Sequence, residues 1–256
     1  MPDPARRSPG QPEPERRTLH VLDSGAAPGA YNLALDEALL EDERLWMRFY
    51  RWEPACLSLG YFQKLGDFED LPPSLPRVRR PTGGGAILHD GELTLSFALD
   101  EPLLPRKVQL GYELLNDAVL QALDIAGLRV AGPEDAPDPA SPAALQRWCF
   151  FRPTGLDLVT NAGAKLFGSA QRRRAGRLLH HGSLVLERSA YTPFTAALHD
   201  HDTPAWPSLC ERIATEFARR LSLSIAICEA LPAEIEARAR ELVVERYANS
   251  SWNASR

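Results

Sequence analysis

No stretch of the 256 residues approaches the roughly 18 consecutive apolar residues that cross a bilayer, so no helical membrane span is expected. The leading segment MPDPARRSPGQPEPERRT also lacks an apolar core, which argues against a secretory leader. Its Pro, Arg and Glu content predicts a disordered lead over residues 1–18. Cysteine is sparse. Cys56, Cys149, Cys210 and Cys228 are far apart with no CxxC pair, a pattern that fits neither a zinc site nor a disulfide framework. Free thiols in a cytoplasmic protein follow as the expectation. A positive excess is missing too: the formal net charge of −5 argues against a general nucleic-acid binder. Local basic runs at Arg77–Arg80 and Arg172–Arg177 read as solvated faces or as a surface for an anionic ligand or acidic partner.

What is present describes a soluble globular chain, 44% hydrophobic and 25% charged, long enough to bury a substantial core. YNLALDEALLEDE (31–43) reads as a helix, with Asn32 or Ser24 as a candidate cap. WMRFYRWEP and ACLSLGYFQ read as strands meeting at Pro54. Asp90-Gly91 signals a hairpin between AILH and ELTLSFAL, and the alternation of Leu93, Leu95, Phe97 and Leu99 turns one face of the second strand to a core. A helix is predicted over 107–126 with Leu110, Leu114, Ala118 and Ala122 on one stripe. AGPEDAPDPASPAA (131–144) reads as a loop or mobile flap. GLDLVT, KLFGSAQRR and LLHHGSLVLE follow as strands, then helices near 207–221 and 232–247. The order predicts an α+β fold with a mixed, largely antiparallel sheet rather than βαβ winding.

Three features carry chemistry. RRPTGGGAILHDGELTLSF (79–97) places Gly83, Gly84 and Gly85 before a strand. A phosphate-binding loop of the Walker or Rossmann type would open a helix instead, so the glycines read either as a flexible strand entry or as bare backbone against a ligand. Lys165 stands between Ala164 and Leu166 with small residues after it; it is an edge-strand charge or a functional lysine. If Cys149 folds near it, the ammonium would stabilise a thiolate and activate a nucleophile. His180 and His181 must face opposite sides of a strand, so at most one enters a shared pocket. No spacing supports a metal.

Together, RRPTGGGAILHDGELTLSF, NLALDEALLE, AKLFGSAQRR with LLHHGSLVL, and ERYANSSWN resemble the lipoate–protein ligase and octanoyltransferase family, whose fold is related to the biotin protein ligases. The resemblance spans about residues 20–252 and implies one catalytic domain over 19–252. Cys149-Phe150, some fifteen residues before Lys165, is similar to the cysteine position of the cysteine-dependent octanoyl-carrier transferases. The segment Phe151-Arg152-Pro153-Thr154 departs from that family's small-residue stretch. The resemblance implies Cys149 and Lys165 as catalytic residues. It implies Arg80, Gly83, Gly84, Gly85, His89, Gly168, Ser169, Gln171, His181 and Gly182 around the substrate. It further implies transfer of octanoyl from acyl carrier protein to a lysine of lipoyl-domain proteins, such as the glycine-cleavage H protein or a 2-oxoacid dehydrogenase E2. No cofactor, nucleic acid or membrane is implied, and a monomer is the default. An ATP-dependent ligase and a non-catalytic acyl or lipoyl-domain binder are the alternatives.

Overall fold

The computed structural model describes residues 16–201 and 206–255. In chain order the elements are β1 (Thr18–Ala27), α1 (Gly29–Glu41), β2 (Leu45–Trp52), β3 (Cys56–Leu59), β4 (Arg77–Arg79), β5 (Ile87–His89) and β6 (Glu92–Asp100). Then come α2 (Val108–Leu123), β7 (Arg129–Val130), α3 (Ala143–Gln146), β8 (Leu158–Val159), β9 (Lys165–Arg174) and β10 (Arg177–Val185). The chain closes with α4 (Trp206–Leu221), β11 (Ser224–Cys228), α5 (Ala233–Leu242), a π-turn over Val243–Tyr247, and α6 (Ser250–Asn253). The lead expected to be disordered falls, for residues 1–15, outside the described residues, and Thr18 already pairs with Ser224.

An eight-stranded sheet runs β11-β1-β2-β6-β10-β9-β8-β7, and a three-stranded sheet runs β4-β3-β5. The α+β class with a mixed sheet matches the expectation, with one exception. β1, α1 and β2 form a βαβ unit, since β1 pairs with β2 in parallel. The sequence reading missed β1 and β11, which pair with each other in parallel across some two hundred residues, a pairing that no local pattern reports.

β6 explains where the site lies. Its Leu93, Leu95, Phe97 and Leu99 are fully buried against α2 and α4, each contributing roughly 1.5–3 kcal/mol. The other face is also buried, and it is polar: Glu92, Thr94 and Ser96 lie toward α1, β2 and the small sheet. Polar groups on that side must find partners, and they build the site.

Three local expectations are corrected. The Asp90-Gly91 turn does not close a hairpin: β5 pairs with β3 and β6 with β2 and β10, so the turn carries the chain between the two sheets. The apolar stripe of α2 runs through Gly111, Leu115, Ala118, Val119 and Ala122, and Leu110 is exposed. Neither Asn32 nor Ser24 caps α1. The Asn32 amide instead donates to Ala27 O and Arg51 O at 2.9 Å each, and Ser24 Oγ accepts from Arg48 Nε at 2.7 Å.

Candidate active site

The loop 147–149 is held edge-on against the glycine run. Ala86 N donates to Arg147 O and Cys149 N donates to Ala86 O, both at 2.9 Å. A side chain on Gly85 would sit 2.7 Å from Cys149 N and 2.9 Å from Arg147 O. The bare backbone of Gly85 therefore makes room for the protein's own cysteine segment, not for a ligand chain as its sequence context suggested. Gly83 and Gly84 do line cavities. Arg80, buried, fixes the run by donating to Ser58 O, Gly83 O and Gly85 O at 2.7–2.9 Å.

Lys165 begins β9 at a register shift against β8, and its side chain is buried. The ammonium meets Asp157 Oδ2 at 2.8 Å, Cys149 Sγ at 3.5 Å and Cys149 O at 3.3 Å. Burial acts to lower the Lys165 pKa, but the Cys149 sulfur and the Asp157 carboxylate outweigh it and raise the pKa, so the amine stays charged. Asp157 is fixed in turn by Thr154 N and Oγ1 at 2.7 and 2.9 Å. The lysine methylenes lie across Gly168, where a Cβ would come within 2.2 Å of Cε. Gly168 is thus needed for the lysine to curl back to the sulfur.

Cys149 stands where two cavities meet. Inward lies a narrow tunnel of about 460 Å³ including its mouth, bounded by Leu33, Tyr50, Trp52 and Ile87. Outward lies a trough of about 1500 Å³ including open space, which Lys165, Asp157, Tyr112 and Arg152 also line. Arg80, His89, Gly168, His181 and Gly182 border the tunnel; Gly85, Lys165 and Gln171 border the trough. Gly83, Gly84, Cys149 and Ser169 border both. The fold thus places all twelve residues singled out from the sequence on the walls of two cavities that share Cys149.

The histidines divide by face. His181 pairs with Ser96 across the ladder; its Nε2 lies 2.8 Å from Thr82 Oγ1, with the ring at the tunnel wall. His180 pairs with Phe97 on the opposite face, buried near Tyr112 with neither ring nitrogen bonded. Burial lowers its pKa to about 3. His89 Nδ1 lies 2.8 Å from Glu92 Oε1, and its ring stacks on Trp52 at 3.7 Å. The remaining thiols face no such site: burial pushes Cys56 and Cys210 up to about 12, and Cys228 also upward.

The arginine runs do not form the outward patch that the sequence allowed. Arg79 is fully buried and donates to the carbonyls of Gly60, Tyr61, Gln63, Trp252 and Asn253. Arg173 and Arg177 are engaged by Glu101 and Asp100. Asp157 and Trp52 are cavity-lining residues that the sequence reading passed over. A carboxylate inside the apolar GLDLVT strand, eight residues before the lysine, was the available signal for Asp157.

Among the described residues no group of acidic, histidine and cysteine side chains could hold a metal, and no helix is long and apolar enough to cross a membrane. The family model of the lipoyl protein ligase A/B catalytic domain matches residues 28–223. The chain is 33% identical to an octanoyltransferase LipM of Geobacillus kaustophilus over 94% of this chain and 99% of that one. It is 39% identical to the octanoyltransferase LipM of Bacillus subtilis over 68% and 67% of the two chains. In fold it is similar to lipoate-protein ligase A bound with ATP, with a TM-score of 0.70 and 21% identity over 93% of this chain and 98% of that one. A structure from an archaeal lipoylation system, described as a bipartite lipoate protein ligase and its E2 lipoyl domain from Thermoplasma acidophilum, gives a TM-score of 0.67 at 22% identity, covering 93% and 96%.

Proposed function

This chain belongs to the lipoyl protein ligase A/B catalytic-domain family, and from that premise we propose that it is an octanoyltransferase working through a thioester on Cys149. The observation that carries the reading is the Lys165 ammonium 3.5 Å from Cys149 Sγ, at the junction of a tunnel and an open trough. The relatives named octanoyltransferase LipM support the acyl group and the reaction class.

In the first step the Cys149 thiolate adds to the carbonyl carbon of the donor thioester. The donor C–S bond breaks, and the departing thiolate takes up the proton that Cys149 gave up. Lys165 pairs with the thiolate beforehand and with the carbonyl oxygen as it gains charge. Asp157 holds that ammonium in place. The octanoyl chain lies in the tunnel, between the bare backbone of Gly83, Gly84 and Gly168 on one side and the rings of Tyr50 and Trp52 on the other. His89 and His181 brace this wall through Glu92 and Thr82.

In the second step a lysine amine enters by the trough and attacks the thioester. The Cys149 C–S bond breaks and the amine's proton returns to the sulfur. The activated carbonyl arrives on the donor, so no nucleotide is required. Acyl carrier protein is the donor; the acceptor is a lipoyl domain, the class of protein named beside the Thermoplasma ligase as its own E2 lipoyl domain.

Incubation with octanoyl carrier protein and intact-mass analysis tests this. Wild type gains one octanoyl group that hydroxylamine removes, and Cys149→Ala gains none. An adduct that persists in Cys149→Ala, or lipoyl-domain modification that requires ATP and free acid, overturns the reading.

A further inference from the structure

The tunnel wall contains two hydroxyls that the chemistry above does not use. Ser58 and Ser183 are buried, both border the tunnel, and the Oγ of each is without a hydrogen-bond partner. Leu33, Tyr50 and Thr94 of the same wall are as deeply buried, so low exposure marks a narrow tunnel rather than a group turned away from it. A hydroxyl shut off from water is costly unless something completes it. The other hydroxyls of this wall are occupied: those of Tyr50, Thr94 and Ser169 donate to Asp36, Glu92 and Asn116 at 2.7–3.0 Å.

Position separates the two. Ser58 lies on β3 of the small sheet, opposite Ile87. Ser183 stands directly opposite Gly168 in the ladder of β9 and β10, so both residues present their side-chain positions to one face, about 5 Å apart. Lys165 occupies that face: a Cβ on Gly168 would lie 2.5 Å from Lys165 Nζ and 3.2 Å from Asp157 Oδ1. Val185, two residues further along β10 and on the same face, packs in one cluster with Phe150 and Cys149. The Ser183 hydroxyl and the Lys165 ammonium thus flank a space beside the sulfur that one oxygen, accepting from both, would span.

We propose that Ser183 is a second oxyanion donor. As the carbonyl carbon becomes tetrahedral, the Ser183 O–H donates to the carbonyl oxygen that Lys165 also meets. The proposal rests on the acyltransferase reading and deepens it. No proton leaves Ser183; its bond to the oxygen tightens as negative charge builds and relaxes when the carbonyl re-forms and the C–S bond breaks. A donor preorganised for a transition-state oxygen is not completed by the protein's own groups, which is the condition of Ser183 Oγ. Acylation and discharge both pass through a tetrahedral carbon bearing the same oxygen, so one hydroxyl serves both.

The rate constants of the two half-reactions test the assignment. Acylation of Cys149 by octanoyl carrier protein, and discharge of the acyl-enzyme onto a lipoyl domain, are each followed by quenched intact mass at saturating partner. Ser183→Ala slows both by about tenfold to a hundredfold, the scale of one hydrogen bond to a charged oxygen. The half-saturating carrier concentration stays unchanged, and Ser183→Thr, which keeps the hydroxyl, recovers most of the loss. Because the hydroxyl has no partner to lose, the urea midpoint of Ser183→Ala is no lower than that of wild type. A lower midpoint assigns the hydroxyl to the scaffold and overturns the proposal alone. So do wild-type rate constants in Ser183→Ala, a loss that Ser183→Thr does not recover, or slowing confined to one half-reaction. Absence of any Cys149 adduct in wild type removes the parent reading and this one with it.

Discussion

Arg48 and Lys165 are both buried cations set against buried carboxylates, Asp36 at 2.9 Å and Asp157 at 2.8 Å. The hydrogen bonds of Arg48 end on structural acceptors: Nε donates to Ser24 Oγ, Nη1 to Asn32 O and Asp36 Oδ1, and Nη2 to Asn32 Oδ1. Asp36 is completed by Ser96 Oγ and Tyr50 Oη, at 2.8 and 2.7 Å. Lys165 is completed by a sulfur that opens on two cavities. The difference shows how one motif, a desolvated ion pair, locks a scaffold where its partners bond only structural groups, two of which, Tyr50 and His181, form the tunnel wall. It serves chemistry where one partner is a nucleophile open to a space that a substrate can enter.

Substitutions separate the two. Lys165→Met should slow Cys149 acylation by about a hundredfold or more, as for other positioned charged groups at a reacting centre. Stopped acyl-adduct kinetics measure it, and a smaller loss would return Lys165 to the scaffold class. Asp36→Ala leaves Arg48 buried without its carboxylate and should cost about 3–5 kcal/mol by urea denaturation. Activity per folded molecule should fall far less than in Lys165→Met. A stable but inactive Asp36→Ala would erase the contrast.

The smallest effect concerns pH. His180 is held neutral in the folded state, with its pKa lowered by burial from 6.5 to about 3. Between those values the unfolded chain binds the extra proton, so stability is fully present above pH 6.5 and declines as pH falls. The slope is about 1 kcal/mol per pH unit from this residue. Urea midpoints measured from pH 7 to 4 should fall less steeply in His180→Leu. An unchanged slope would show that the decline belongs to other groups.

Much of the site was legible because its residues are unusual in their local context. Three glycines entering a strand, and a lysine before Gly168-Ser169, stand out in any window of the sequence. β6 was legible for the same reason, since strict alternation needs no knowledge of the partner strand. The same alternation hid the site's other half. The alternation assigned one face to a core and said nothing of Thr94 and Ser96, which the fold makes the polar floor on which Asp36 and Trp52 converge. The Asp90-Gly91 turn misled because turn chemistry specifies a reversal, not which strands will pair across it.

The sequence by itself determined the fold class, the family and a set of side chains around one cysteine, because local patterning and ordered motifs do not depend on distant neighbours. The tertiary structure alone decided what those residues touch. It gave Lys165 its carboxylate, placed the cysteine segment against Gly85, and sent Arg79 inward to tie the C-terminal Trp252 and Asn253 to the loop at Gly60. Partners so far apart along the chain meet only when burial makes an unpaired polar group too costly to leave unmatched.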